Sequence, residues 1–115
     1  MIYLASPYTS SEPGMPLYRF QCTEYHTAKF MKLGFPIFSP IVHCHELAKK
    51  YGMPTTFEYW WKYNEAFLRA AEELWVLCLP GWDKSMGVLR EIEWWEKEAA
   101  RQAWDKPLVV YKEVD

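Results

Sequence analysis

From Leu79 to Trp95 the chain reads LPGWDKSMGVLREIEWW: a Pro-Gly turn, a tryptophan, an Asp-Lys-Ser triplet, then a helix-like run carrying Glu91 and Glu93. Lys84-Ser85 looks like the end of a G-x-x-x-x-G-K-[ST] phosphate loop, but Cys78 and Asp83 stand where that loop needs glycines. The G-x-G-x-x-G spacing of a dinucleotide fold is absent as well, so ATP and NAD chemistry are disfavoured. Ser85 can still cap a helix whose first amides, at Met86, Gly87 and Val88, would accept an anion such as a nucleotide 5′-phosphate. A plain capped turn accounts for the same residues equally well. Glu91 follows Gly87 by one helical turn on the same face, so its carboxylate can point into the mouth of the loop. By pattern alone a surface charge is the commoner fate of such a residue. Glu93 lies about 200° further round the helix and makes an ordinary solvated pair with Lys97.

His43 and His45 flank Cys44. Two donors at i,i+2 with no third at suitable spacing are a poor zinc set, and loop histidines more often bind substrate or backbone. No metal is expected. A Cys-His nucleophile pair from Cys44 and either neighbour stays open, although adjacent loop residues seldom face each other productively. Trp60, Trp61, Trp94, Trp95 and Trp104 read most economically as core or subunit-interface residues, with stacking on a nucleobase as the sharper alternative.

These residues need elements to hold them. Ile2–Ala5 reads as a strand, broken by Ser6-Pro7-Tyr8-Thr9-Ser10 and a Pro/Gly loop. A helix is expected from about Leu17 to Leu33, with Gly34 at its C-terminal end. Phe35–Ile41 is a short β-prone run whose prolines suit strand ends or a sheet edge. His45–Tyr51, closed by Gly52, and Phe57–Ala71 read as helices. Leu74–Leu79, apolar without alternation, has the pattern of a central parallel strand covered on both faces. Gly87–Ala103 reads as helix and Leu108–Tyr111 as the last strand. The order β-α-β-α-α-β-α-β predicts an α/β, flavodoxin/Rossmann-like three-layer domain with a mainly parallel sheet of four to five strands. Ligands in such folds bind beyond the carboxyl ends of the strands, where Ser6–Thr9, Ser39–His45 and Pro80–Gly87 would lie.

The 115 residues give one domain with a single core and no room for a separate substrate domain. With seven Trp and eight Tyr, the chain has more ring surface than a small core can hide, which predicts a pocket or subunit interface and a homo-oligomer. A net charge of −2 without a Lys/Arg cluster argues against a nucleic-acid polymer as partner. The start lacks a signal-peptide pattern and no apolar run approaches membrane-spanning length, so a cytoplasmic protein without membrane contact is expected. Cys22, Cys44 and Cys78 are odd in number with no C-x-x-C spacing, as for reduced core residues.

Taken together, Leu4–Thr9 (LASPYT), Phe38–His45 (FSPIVHCH) and Leu79–Glu91 (LPGWDKSMGVLRE) resemble a small family of phage and bacterial proteins. That family belongs to the nucleoside 2-deoxyribosyltransferase-like superfamily, which includes the 2′-deoxynucleoside 5′-phosphate N-hydrolases. The resemblance covers nearly the whole chain. It implies Glu91 as nucleophile, Tyr8 as the tyrosine contacting that carboxylate, and Ser85 as a phosphate-binding serine. The superfamily's aspartate, which protonates the leaving base, maps to Asn64, whose amide cannot act as a general acid. Asp83 or a histidine would then take the role, or Glu65 if the register shifts by one. Ser6, Pro7, Ser39, His43, His45, Trp82, Ser85, Met86 and Gly87 are the expected substrate contacts. The implied chemistry is cleavage or transfer of the N-glycosidic bond of a (deoxy)nucleoside or its 5′-monophosphate, by double displacement and without a cofactor. Asn64 also admits a non-catalytic nucleotide-binding or sensing module of the same fold.

Overall fold

The computed structural model describes residues 1–102 and 105–114. Trp104, and Ala103 at the expected end of the last helix, lie outside the described residues. The elements are β1 (Ile2–Ala5), α1 (Met15–Lys32), β2 (Ile37–Phe38), α2 (Pro40–Tyr51), α3 (Phe57–Ala70), β3 (Glu73–Cys78), a 3-10 turn (Trp82–Lys84), α4 (Met86–Gln102) and β4 (Val110–Glu113). The four strands form one parallel sheet in the order β2-β1-β3-β4, flanked by the helices in a Rossmann/flavodoxin-like three-layer arrangement. Ile2 pairs with Ile37 on one side and with Glu73 on the other.

Side chains alternate across a strand, so β1 and β3 feed two cores. Tyr3 and Ala5 of β1 and Leu74 and Val76 of β3 pack with Leu68 of α3 and with Val88, Ile92 and Trp95 of α4. Ile2 and Leu4, with Trp75 and Leu77, face the other way, against Cys22 and Phe30 of α1. Burial on both faces explains why β3 reads as an unbroken apolar run. From β1 the chain crosses to β2 on one side and later returns through β3 on the other. The order therefore reverses between β1 and β3, where a doubly wound sheet opens a crevice at its carboxyl end.

Two boundaries differ from expectation. Only Ile37 and Phe38 remain strand, and the stretch Ser39–His45, expected to be a loop, is mostly the first turns of α2. Ser39 Oγ accepts the Val42 N–H at 3.1 Å, and Pro40, with its fixed φ and missing donor, suits the first helical turn. The last strand begins at Val110, two residues after the expected Leu108, which is exposed. No helix among the described residues is long and apolar enough to cross a membrane.

Candidate functional site

The cleft at the carboxyl end of the sheet is built around α4. Ser85 begins this helix: its Oγ accepts the Val88 N–H at 3.4 Å and its carbonyl accepts the Leu89 N–H at 2.9 Å. One turn on, Gly87 lies against the Phe57 ring so closely that a Cβ would come 3.0 Å from Phe57 Cδ2. A further turn brings Glu91 into the cleft wall, only 4 % exposed. Its Oε2 accepts a hydrogen bond from the Tyr3 hydroxyl, which reaches it from the middle of β1. Burial pushes the Glu91 carboxyl up to about 8, and the Tyr3 hydrogen bond opposes that rise by favouring the charged form. Burial, and then the neighbouring carboxylate, raise the Tyr3 hydroxyl well above its ordinary value, so it stays a donor.

Tyr8 has a different partner. Its hydroxyl is 2.7 Å from His45 Nδ1, and the imidazole stacks on Phe20 with ring centres 4.0 Å apart and planes 14° from parallel. His45 is buried, and among the described residues its Nε2 has no hydrogen-bond partner. The tyrosine that meets the carboxylate is thus Tyr3, where the resemblance pointed to Tyr8. Tyr3 lies inside an apolar strand, and the one sign in the sequence was a phenol among aliphatic side chains, since a buried Tyr hydroxyl needs a partner.

Seven of the expected residues line this cleft: Ser6 and Tyr8 after β1, His45 on α2, Asn64 on α3, and Ser85, Gly87 and Glu91 at the start of α4. The others lie elsewhere. Trp82 and Asp83 face a separate trench beside Tyr18 and Cys22 of α1, and the Trp82 ring packs on Tyr111. His43 packs its ring against Phe38 and Phe67, away from His45, as two residues at i,i+2 on a helix must. Met86 is 82 % exposed and points out of the cleft. Pro7 is fully buried, and Ser39 is occupied in capping α2. Glu65, the alternative to Asn64, accepts the Trp94 indole N–H at 2.9 Å and lies 3.9 Å from Arg69. Thr55 and Thr56 of the α2–α3 connection and Phe57 at the start of α3 also line the cleft, a contribution that sequence reasoning missed.

Cys44 lines the cleft too, but its Sγ turns to the Ile41 carbonyl at 3.9 Å, and burial pushes the thiol up to about 11. A thiol in that state is a poor nucleophile at neutral pH. Among the described residues no group of three or more His, Cys, Asp or Glu side chains could hold a metal ion. Of the tryptophans, Trp60 and Trp95 are buried, while Trp61 and Trp94 are partly buried beneath Arg90 and Arg69. Trp60 also forms a cleft wall, its indole N–H fixed on the Pro54 carbonyl at 2.8 Å.

The loops behind the cleft are tied together by Arg19. Its guanidinium donates to the Thr9 carbonyl after β1 at 2.9 Å and to the Pro80 carbonyl after β3 at 3.3 Å. Thr23, one turn further along α1, donates to the Arg19 carbonyl at 2.8 Å, with Ser6 Oγ 3.2 Å away. The arrangement is a buried carboxyl with one phenolic donor, next to an imidazole-phenol pair, in a slot with aromatic and hydroxyl walls. Such a site can hold a polar molecule with a flat ring and present one carboxyl to it. No curated protein matches the chain significantly. A family model described as a domain of unknown function, DUF1937, matches residues 1–113, and the chain belongs to that family.

Proposed function

We propose that the protein cleaves or transfers the N-glycosidic bond of a (deoxy)nucleoside or its 5′-monophosphate, with Glu91 as nucleophile. The observation that carries this reading is the Glu91 carboxyl, buried in the cleft at the sheet's switch point and bound by Tyr3. A carboxyl removed from water without an ionic partner costs stability, so its retention in a cleft points to chemistry. The ionised carboxylate attacks the anomeric carbon as the bond to the base breaks, and the base leaves with the electron pair. The resulting glycosyl ester is resolved by water or by a second base, which restores the carboxylate. Tyr3 holds one oxygen and leaves the other for attack. Asn64 can hydrogen-bond the departing base but has no acidic proton, and Asp83 lies outside the cleft. That leaves His45, paired with Tyr8, as the candidate proton donor.

A second reading is favoured by Asn64 itself: with an amide where the leaving group would need an acid, the cleft serves as a nucleotide-binding or sensing module. Incubation with a panel of nucleosides and their monophosphates, read as free base by chromatography, separates the two. Base release that depends on Glu91 supports the enzyme, and binding without release supports the module. Either way the partner is a small molecule. The protein is also proposed to self-associate, because Leu17, Tyr25, Met31 and Leu89 leave large apolar surface on α1 and α4 exposed.

A further inference from the structure

We infer that the ligand of the Glu91 cleft is uncharged, a nucleoside rather than its 5′-monophosphate. This rests on the glycosidic reading of the cleft and narrows it.

Among the described residues no lysine or arginine lines the cleft, and its one carboxyl is Glu91. His45, the remaining basic group, is held between the Tyr8 hydroxyl and the Phe20 ring. Two guanidinium groups that touch cleft-lining residues have other contacts: Arg19 donates to the Thr9 and Pro80 carbonyls, and Arg90 lies over the Trp61 and Phe57 rings at 4.7 Å and 5.7 Å. A phosphate monoester brings a charge of about −1.5 to −2 at neutral pH. Against it the cleft offers the N-terminus of α4, equivalent to about half a positive charge, where the Ser85 oxygen already caps Val88. A proton on His45 is offset by the ionised Glu91 that attack requires, and the remaining half charge does not balance nearly two. The phosphate would also share the slot with the carboxyl that has to ionise for attack, and like charges oppose that ionisation.

The walls fit a neutral sugar and base instead. Ser6, Thr9, Thr55 and Thr56 supply hydroxyls that both donate and accept, as sugar hydroxyls require, and Asn64 supplies an amide that matches a base edge. Phe57 and Trp60 supply aromatic wall, the latter locked by its bond to Pro54. The cavity volume is about 50 Å³, a slot rather than a chamber, so a ligand seated there lies close against these walls.

The test is calorimetric titration of the Glu91→Gln protein, its folding checked by thermal melting, with the common ribo- and deoxyribonucleosides, their 5′-monophosphates and inorganic phosphate. Wild-type protein is titrated in parallel in case the variant does not fold. At least one nucleoside should bind at least about tenfold more tightly than its own monophosphate, with no competition from inorganic phosphate. A monophosphate that binds as tightly as its nucleoside overturns the inference, as does failure of every nucleoside to bind. Base release by the wild-type protein is scored separately. Preferential nucleoside binding without release upholds the neutral ligand and removes the glycosidase. Release from monophosphates alone does the reverse.

Discussion

Tyr3 and Glu91, 88 positions apart in the chain, are joined by a hydrogen bond in which a phenol on a central strand donates to a buried helix carboxyl. The bond ties the floor of the sheet to the cleft and gives the carboxyl a donor that survives the exclusion of water.

Glu91→Gln keeps the size of the side chain and an oxygen to accept from Tyr3, but removes the attacking charge. Turnover should fall by several orders of magnitude while ligand binding persists. Base release by the variant at the wild-type rate would sink the mechanism.

The same substitution should change how stability depends on pH. The Glu91 carboxyl is raised from about 4.5 to about 8 in the folded state, so folding favours its protonated form. That contribution is fully present below the ordinary carboxyl range and is lost as pH rises through about 8. Glu91→Gln should therefore gain on the wild type above pH 8 by an amount on the order of 5 kcal/mol at most, and little near pH 4. Urea denaturation across that range gives the answer; parallel curves for the two proteins would contradict the buried ionisation. Turnover, needing the ionised form, should climb toward the same pH.

Tyr3→Phe and Tyr8→Phe should differ. Losing the Tyr3 hydroxyl removes a donor that favours the charged carboxyl, so the rising limb of kcat/KM against pH should move to higher pH. Losing the Tyr8 hydroxyl frees His45 Nδ1 and should lower turnover without moving that limb. Equal shifts in the two pH profiles would mean that Glu91 does not set the limb.

Gly81→Ala tests the clamp behind the cleft. Gly81 has φ +88°, and an added Cβ would come 2.7 Å from Arg19 Nη2. The variant should lose roughly 1–3 kcal/mol through backbone strain and displacement of the guanidinium. An unchanged melting temperature would argue that Arg19 does not brace these loops.

Light scattering on the purified protein should give a mass that is a multiple of the 13.8 kDa chain. A monodisperse monomer at micromolar concentration would show that the exposed apolar side chains of α1 and α4 do not serve self-association.

The order of the elements was legible in the chain because it follows from local physics. Alternating break residues, helical spacing and the unbroken apolar run Leu74–Leu79 specify strands and helices without knowledge of their neighbours. Right-handed crossovers then leave few ways to build the sheet, and they put the loops after β1 and β3 on the ligand side. The face of α4 that carries Ser85, Gly87 and Glu91 could be read the same way, from spacing alone.

Partners and burial could not be read in this way. Whether Glu91 is a surface charge or a buried carboxyl depends on what covers its face of α4, and the answer comes from β1, at the opposite end of the chain. Tyr3 and Tyr8 are both tyrosines near the first strand. Strand alternation turns Tyr3 toward the α4 layer, whereas Tyr8 follows the loop to His45. His43 and His45 look like a pair in the sequence, but once Ser39 and Pro40 start a helix their rings diverge. Local sequence determines which elements form and which way each side chain leaves the backbone. Contacts between groups far apart in the chain exist only after packing and sheet register bring their elements together, and so only the tertiary structure decided which hydroxyl serves Glu91.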